Sequence, residues 1–183
     1  NVTDLTITSN ATSTGGIMGS IAGEGCEISG CKVENTNINT GNESHTGMYG
    51  SAAGIVADAG DLQNISNCTV KNVEIETSSD NMAGIIGTTF GATITFDNCN
   101  VEDLTCTDNN TVSASTRLIG GLVGKAGKIN VTNSNLSKIN LNVLNGKKST
   151  VQIGGIAANA TDSTSIDNVN LEGITINNNT GGT

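Results

Sequence analysis

A two-part phrase recurs five times along this chain, and it constrains the fold more than any other feature. Its first part places small residues beside an aliphatic one, as in Gly-Gly-Leu-Val-Gly at 120–124. Its second part begins Ile-Ser-Asn-Cys-Thr-Val at 65–70 and has counterparts at intervals of 31 to 37 residues. The equivalents of its cysteine are Cys31, Cys68, Cys99, Ser134 and Val169. Matched pairs in one order are typical of a repeat protein whose units stack on one another.

Within each copy, the pattern predicts short strands. Apolar residues alternate with polar ones over 68–70 and again over 73–75, as in strands with one buried face. Polar pairs at 66–67 and 71–72 interrupt the alternation, and asparagine suits such corners because it tolerates a left-handed backbone. We expect three short strands per rung: the Gly-Gly-Ile segment, the strand ending near Ile65, and the strand pair that follows. Stacking at about 4.8 Å per rung gives an all-β parallel β-solenoid of about five rungs.

The composition narrows the classes of partner. The aromatic residues are Tyr49, Phe90 and Phe96, so Ile, Val, Leu and Ala must supply the core. A net charge of −9 opposes binding to nucleic acid and to anionic membrane, since both reward clusters of Lys and Arg. No apolar run reaches the roughly 18 residues of a membrane span, so the sequence predicts no membrane insertion.

The length of the repeat varies mainly between its last strand and the next Gly-Gly-Ile segment. These connections are rich in Asn, Ser, Thr and Gly and are expected to be loops on one edge: 39–52, 76–82, 107–119 and 142–152. Insertions on one face often mark the binding face of a repeat protein, the alternative being plain solvated connections. The candidate partner-binding residues lie in two of these loops and are His45, Met48, Tyr49, Asn109, Asn110 and Arg117.

The five cysteines align with inward apolar positions and are predicted to be free, buried thiols. Cys31, Cys68 and Cys99 share one column, whereas Cys26 and Cys106 align with aliphatic residues of other copies. Their number is odd and no Cys-x-x-Cys occurs, which argues against a zinc site or a redox motif. Neighbouring rungs could bring two column members within disulfide range, but parallel Cβ vectors are a poor geometry for the bond.

Residues suited to catalysis are scarce. His45 is the only histidine, and neither a nucleophile elbow nor a zinc-protease motif is present. Glu34 and Glu102 share a column, and Glu74 and Glu76 share a strand, but no motif supports a paired-carboxylate site. The acidic loops lack calcium-loop spacing. The sequence predicts no catalytic residue, no cofactor and no metal site, with a carbohydrate-active β-helix (lyase or hydrolase) as the alternative.

An ice-binding solenoid is a further alternative, because flat faces with Thr-x-Thr ladders bind ice. The outward pair on the last strand is Thr6 and Thr8 in one copy and Thr105 and Thr107 in another. The two copies between them have Asn37 and Asn39 in one and Glu74 and Glu76 in the other, and the pair of glutamates would interrupt an ordered water lattice. The ladder is therefore broken.

The Gly-Gly-Ile/Leu-Val-Gly segment followed by Ile-x-Asn-Cys-x-Val resembles the GLUG repeat, named for Gly-Leu-hydrophobic-Gly. Residues 121–124 match that name directly, and the resemblance covers nearly the whole chain. GLUG repeats occur in large bacterial surface and secreted proteins, including adhesin-like proteins and non-catalytic regions of IgA-specific metallopeptidases. The resemblance implies a right-handed β-helix, an extracellular or bacterial cell-surface location and no chemistry of its own. Alanine at 57 and at 157–158 departs from the strict phrase without disturbing the solenoid pattern.

These features together predict a single β-solenoid domain over 1–183 with a non-enzymatic structural or adhesive role. It would be a rigid spacer that presents loops to a protein or glycan of a host or neighbouring cell. Neither end shows a recognisable cap, and open sheet edges invite pairing. We therefore expect either a segment of a longer repeat array or copies that associate end to end.

Overall fold

The computed structural model describes residues 1–23, 25–40, 50–62, 64–89, 93–109, 116–144 and 150–179. Every strand in these ranges belongs to one of four parallel sheets, and the same ranges contain no helix. Each turn of the chain contributes one strand to each sheet, and equivalent strands pair in register. The molecule is a parallel β-solenoid of about four turns, which confirms the predicted all-β solenoid class.

Sheet A contains the longest strands. They are β1 Val2–Thr3, β2 Thr6–Ser9, β6 Lys32–Thr40, β10 Thr69–Thr77, β14 Asn100–Asp108, β18 Asn135–Val143 and β22 Asn170–Asn178. Their order is β1-β6-β10-β14-β18-β22, and β2 also pairs with β6. The predicted pair of strands is therefore one continuous strand. The corner expected at 71–72 is a bend within it, where Asn72 has a φ of 50°.

Sheets B and C lie on either side of the Gly-Gly-Ile segment, which is a turn and not a strand. Sheet B precedes the turn and contains β3 Ser13–Gly15, β7 Ser51–Ala53, β11 Asn81–Ala83, β15 Thr116–Gly120 and β19 Thr150–Gly154. Sheet C follows it and contains β4 Met18–Ile21, β8 Val56–Ala59, β12 Ile86–Thr89, β16 Val123–Ala126 and β20 Ala157–Ala160. The prediction of three strands per rung was therefore wrong, because each rung has four.

Glycine is required at this turn because neighbouring rungs leave no room for a side chain. A Cβ on Gly84 would lie 2.5 Å from the carbonyl oxygen of Gly121 and 3.1 Å from Leu104 Cδ2 of sheet A. The turn therefore points into the solenoid and contacts sheet A. Sequence periodicity could not distinguish such a turn from a short buried strand, since both are runs of small and apolar residues.

Sheet D returns the chain to sheet A through a corner built on asparagine. Its strands are β5 Glu27–Ser29, β9 Asn64–Ser66, β13 Ile94–Asp97, β17 Ile129–Thr132 and β21 Ser165–Asp167. Four successive corners place Asn67, Asn98, Asn133 and Asn168 at φ values of 51° to 54°, which confirms the predicted left-handed asparagines. Their amides also stack between rungs, since Asn98 Nδ2 donates to Asn67 Oδ1 at 2.8 Å.

The core consists of aliphatic columns that run along the solenoid axis between the sheets. One column of sheet A contains Val73, Leu104 and Ile139, none of them more than 2% exposed. Burying a side chain of this size stabilises the fold by about 1.5–3 kcal/mol. Many aliphatic side chains thus supply the buried apolar area that aromatic side chains supply in a conventional core.

Within the described part of the chain, no helix is long and apolar enough to cross a membrane.

Candidate functional site at the corner between sheets A and B

The segments that vary most in length connect sheet A to sheet B. The ends of the sheet A strands are in register at Thr40, Thr77, Asp108, Val143 and Asn178. The sheet B strands that follow are also in register with one another. The variable connections therefore leave and rejoin the solenoid along one edge, and this edge is the candidate functional site.

Four of the predicted partner-binding residues lie outside the described residues: His45, Met48, Tyr49 and Asn110. The other two, Asn109 and Arg117, flank the segment 110–115. The structure therefore places the described members of the predicted set at the base of one connection and not along an exposed loop. Their side chains point to a role different from the predicted one.

Arg117 lies in strand β15, although the sequence placed it in the loop 107–119. Its side chain is fully buried, so it contacts the protein's own interior and is not presented to a partner. Its Nε donates to Asp108 Oδ1 at 3.1 Å, and its Nη1 donates to Asp80 Oδ1 and to the Thr116 carbonyl oxygen. The arginine thereby ties the end of a sheet A strand to the start of a sheet B strand.

Asp108 belongs to a polar column at the edge of an otherwise apolar interior. The preceding rungs place Thr40 and Thr77 at the same register position, and their hydroxyl groups hydrogen-bond to each other. Thr77 Oγ1 also accepts a hydrogen bond from Ser79 N at 2.9 Å. Because a buried charge is costly unless it is paired, the change from Thr77 to Asp108 requires a cation such as Arg117 nearby.

Asn109 is half-buried and hydrogen-bonds to the preceding rung. Its backbone N donates to the Thr77 carbonyl oxygen at 3.1 Å, and its Nδ2 donates to Glu76 Oε1 at 3.2 Å. These bonds extend the register of sheet A by one residue past the end of β14. Asn109 therefore anchors the start of the segment 110–115.

Sequence reasoning missed the burial of Arg117, although a usable signal was present. Asn81 pairs with Leu118, so the repeat alignment places Arg117 beside Asp80 of the preceding rung. An arginine aligned with an aspartate and followed by Leu118 and Ile119 is the pattern of an inward ion pair. We find no comparable signal for Asp108, since none of its equivalents is charged: they are Ser9, Thr40, Thr77, Val143 and Asn178.

The carboxylates considered for catalysis are kept apart by a lysine. Lys71 lies between Glu34 and Glu102 in the sheet A register, and its Nζ is 2.8 Å from Glu102 Oε2. This ion pair lowers the pKa of the Glu102 carboxyl and raises the pKa of Lys71. Glu34 pairs instead with Lys32, 2.9 Å away, so the carboxylates of this column belong to a surface ladder of ion pairs. Among the described residues, no group of three or more His, Cys, Asp or Glu could hold a metal ion.

All five cysteines are free, as predicted, and three of them are buried. Burial raises the pKa of the Cys99 and Cys106 thiols to about 12 and also raises the pKa of Cys68. Cys26 and Cys31 are only partly buried, so the prediction of burial was wrong for these two. Both pack against the edge of the core in the first turn, where fewer neighbours cover them.

The fold and the loop edge define the class of this molecule, which is a parallel β-solenoid repeat protein. No family model, no curated protein and no solved structure matches the chain. The class therefore stands on the strand register and on the repeated phrase.

Proposed function

We propose that this chain is a non-enzymatic structural or adhesive module of an extracellular or bacterial cell-surface protein. It is a rigid, right-handed solenoid of about five rungs that presents loops on one edge to a protein or glycan partner. The handedness follows the rule for parallel crossover connections, nearly all of which are right-handed. The location and the link to GLUG-repeat proteins rest on the repeated phrase at 65–70 and 120–124.

One observation carries this proposal: the segments that vary most in length lie on a single edge, while the strands of all four sheets stay in register. Sheet A pairs residue for residue through five rungs, for example Val70 with Val101 and Val101 with Leu136. A solenoid of this kind positions its insertions at fixed spacings of about 4.8 Å per rung. Loops on such a scaffold are the usual place for binding residues.

One short connection on this edge shows how the longest connection could be shortened without disturbing the solenoid. The connection after Thr77 needs only Ser78, Ser79 and Asp80 before sheet B begins, whereas the equivalent connection after Thr40 runs from 41 to 50. Replacing 41–49 with Ser-Ser and keeping the buried Gly50 would therefore remove His45, Met48 and Tyr49 by using a connection of a length that this fold already accommodates.

The proposal is tested by probing glycan and surface-protein arrays with the chain and with this shortened variant. We expect binding to at least one glycan or protein without chemical turnover, and weaker binding by the shortened variant at unchanged thermal stability. Release of unsaturated or reducing-end sugar products would overturn the non-enzymatic assignment. Absence of binding to every glycan and protein tested would overturn the adhesive role.

A further inference from the structure

A column of thiols runs along the corner between sheets D and A. Cys31, Cys68 and Cys99 each directly precede a sheet A strand and occupy the same place in three successive rungs. The backbone is in register here, because Thr69 N donates to the Cys31 carbonyl oxygen and Asn100 N to that of Cys68, both at 2.8 Å. Adjacent members of the column therefore lie one rung, about 4.8 Å, apart along the solenoid axis.

The thiols of this column share one orientation and contact one another across the rung boundary. Cys68 Sγ donates to the Ser66 carbonyl oxygen at 3.2 Å, and Cys99 Sγ donates to the equivalent Asp97 carbonyl oxygen at 3.6 Å. Burial is the main cause of the raised pKa of Cys68, and the thiol of Cys31 raises that pKa further. The side chains of Cys31 and Cys68 are therefore direct neighbours.

Packing alone does not account for cysteine at this position. The next two rungs place Ser134 and Val169 in the same column. Ser134 Oγ donates to the Thr132 carbonyl oxygen at 2.8 Å, so a hydroxyl group takes the place and the hydrogen bond of the thiol. A column that accepts both serine and valine does not require sulfur for its shape. The neighbouring thiols are thus available for chemistry.

The spacing of these thiols suits a bridging metal ion better than a disulfide. The sulfur atoms of a disulfide are about 2.05 Å apart, which parallel side chains one rung apart do not reach without distortion. With a sulfur–metal bond of about 2.3 Å, as for zinc, a linear sulfur–metal–sulfur unit spans about 4.6 Å, close to the rung spacing. Thiolates prefer soft cations such as Cu(I), which accept two ligands in a line, whereas Zn(II) takes four.

We infer that Cys31 and Cys68 form a binding site for one soft, two-coordinate cation of the Cu(I) or Ag(I) type. Each thiol releases its proton to solvent and forms one sulfur–metal bond, so a monovalent ion leaves a bis-thiolate with a single negative charge. Cys31 is only partly buried, whereas Cys68 is fully buried. The ion therefore reaches the pair from the Cys31 side, where the charge lies near solvent. This site is independent of the proposed adhesive function.

The test titrates the whole chain with Cu(I) alone or Ag(I) alone, without oxygen, in competition with a Cu(I) chelator. We expect one ion per chain, held at least about a hundredfold less tightly in Cys31→Ser and in Cys68→Ser, because one thiol loses the advantage of two ligands on one scaffold. Both variants should keep the native melting temperature, since Ser134 already occupies this column. The matched control is Cys26→Ser, which removes a free, partly buried thiol outside the column and should leave binding unchanged.

A second measurement needs no variant. One equivalent of Ag(I) should slow the alkylation of Cys31 at least about tenfold, because a thiolate bound to metal is not free to attack the reagent. Alkylation of Cys26 should keep its rate. Peptide mapping by mass spectrometry follows both residues in the same sample.

Several outcomes would overturn the site. They are unchanged binding in Cys31→Ser or Cys68→Ser, loss of binding in Cys26→Ser, and equal protection of Cys26 and Cys31 from alkylation. A loss in Cys99→Ser as large as that in Cys31→Ser would overturn the assignment to the first pair of the column. Zn(II) held as tightly as Cu(I) would overturn two-coordinate binding. Failure to bind any glycan or protein would overturn the proposed function and leave this site in place.

Discussion

The interior beneath the middle of sheet A and the interior at its loop edge are built on the same strands with opposite chemistry. On β14, Cys106 is fully buried in an apolar column, and Asp108, two residues later, is equally buried and pairs with Arg117. In an apolar column, any aliphatic residue of suitable size can stack on any other. In a polar column, each residue needs a particular partner. The comparison shows why residues of the apolar column can replace one another between rungs, whereas Asp108 depends on Arg117.

The thiols provide the largest expected effect, because they test whether the apolar interior excludes water and reagents. We expect Cys99 and Cys106 to react with a thiol reagent at least about 10³-fold more slowly in the native protein than in the unfolded chain. Burial both excludes the reagent and raises their pKa to about 12, so little thiolate forms near pH 8. Cys26 and Cys31, which are partly exposed, should react readily. Peptide mapping by mass spectrometry measures the rates, and equal labelling of Cys106 and Cys31 would contradict a dry apolar interior.

The polar interior should be most sensitive at Arg117. We expect Arg117→Ala to lower the free energy of unfolding by about 3–5 kcal/mol, because it leaves the buried Asp108 carboxylate without this partner. The double variant Arg117→Met with Asp108→Leu should recover most of that loss, since it replaces the ion pair with apolar side chains. Urea denaturation measures both.

The matched control is Lys71→Ala, which breaks an exposed ion pair with Glu102 and should leave stability unchanged. If Arg117→Ala were as mild as Lys71→Ala, the distinction between a polar interior and a solvated surface would fail.

The apolar interior should respond to loss of volume. Leu104 is fully buried, and its Cδ2 faces the turn at Gly84. We expect Leu104→Ala to lower the free energy of unfolding by about 2–5 kcal/mol, from lost burial and from the cavity left behind. The adjacent Thr105→Ala, on the outward face of β14, should change it by less than about 0.5 kcal/mol. Similar losses from both substitutions in urea denaturation would mean that the alternation along this strand is not what stabilises it.

The smallest expected effect concerns the residues with a left-handed backbone within the sheet A strands. Lys138 has a φ of 54°, whereas the equivalent residues with positive φ are Asp4, Asn35, Asn72, Asp103 and Gly173. We expect Lys138→Asn to raise the free energy of unfolding by about 1 kcal/mol, because asparagine tolerates this backbone better than lysine. Lys138→Ala serves as the control and should bring no gain. Differential scanning calorimetry can resolve the shift, and equal melting temperatures for the two variants would refute the conformational explanation.

The sequence predicted those features that one repeat shares with the next. Aligned copies located the inward positions around Val70 and Ile75 and the left-handed asparagines at the sheet D corner. They also placed the largest length differences on one edge. Each of these features depends on a residue's place in its own repeat, which a sequence displays directly. The alternation over 73–75 could not reveal, however, that the Lys71-Asn72 pair bends one strand and does not end it.

The tertiary structure decided what depends on contacts between rungs. It made the Gly-Gly-Ile segment a turn between two strands, because only stacking shows that Gly84 faces a backbone carbonyl and cannot carry a side chain. It moved Arg117 from a predicted loop into the interior, because one of its carboxylate partners, Asp80, belongs to the preceding rung. The sequence by itself therefore determined the period and the inward faces, while packing across rungs decided the number of strands per turn and which polar residues are buried.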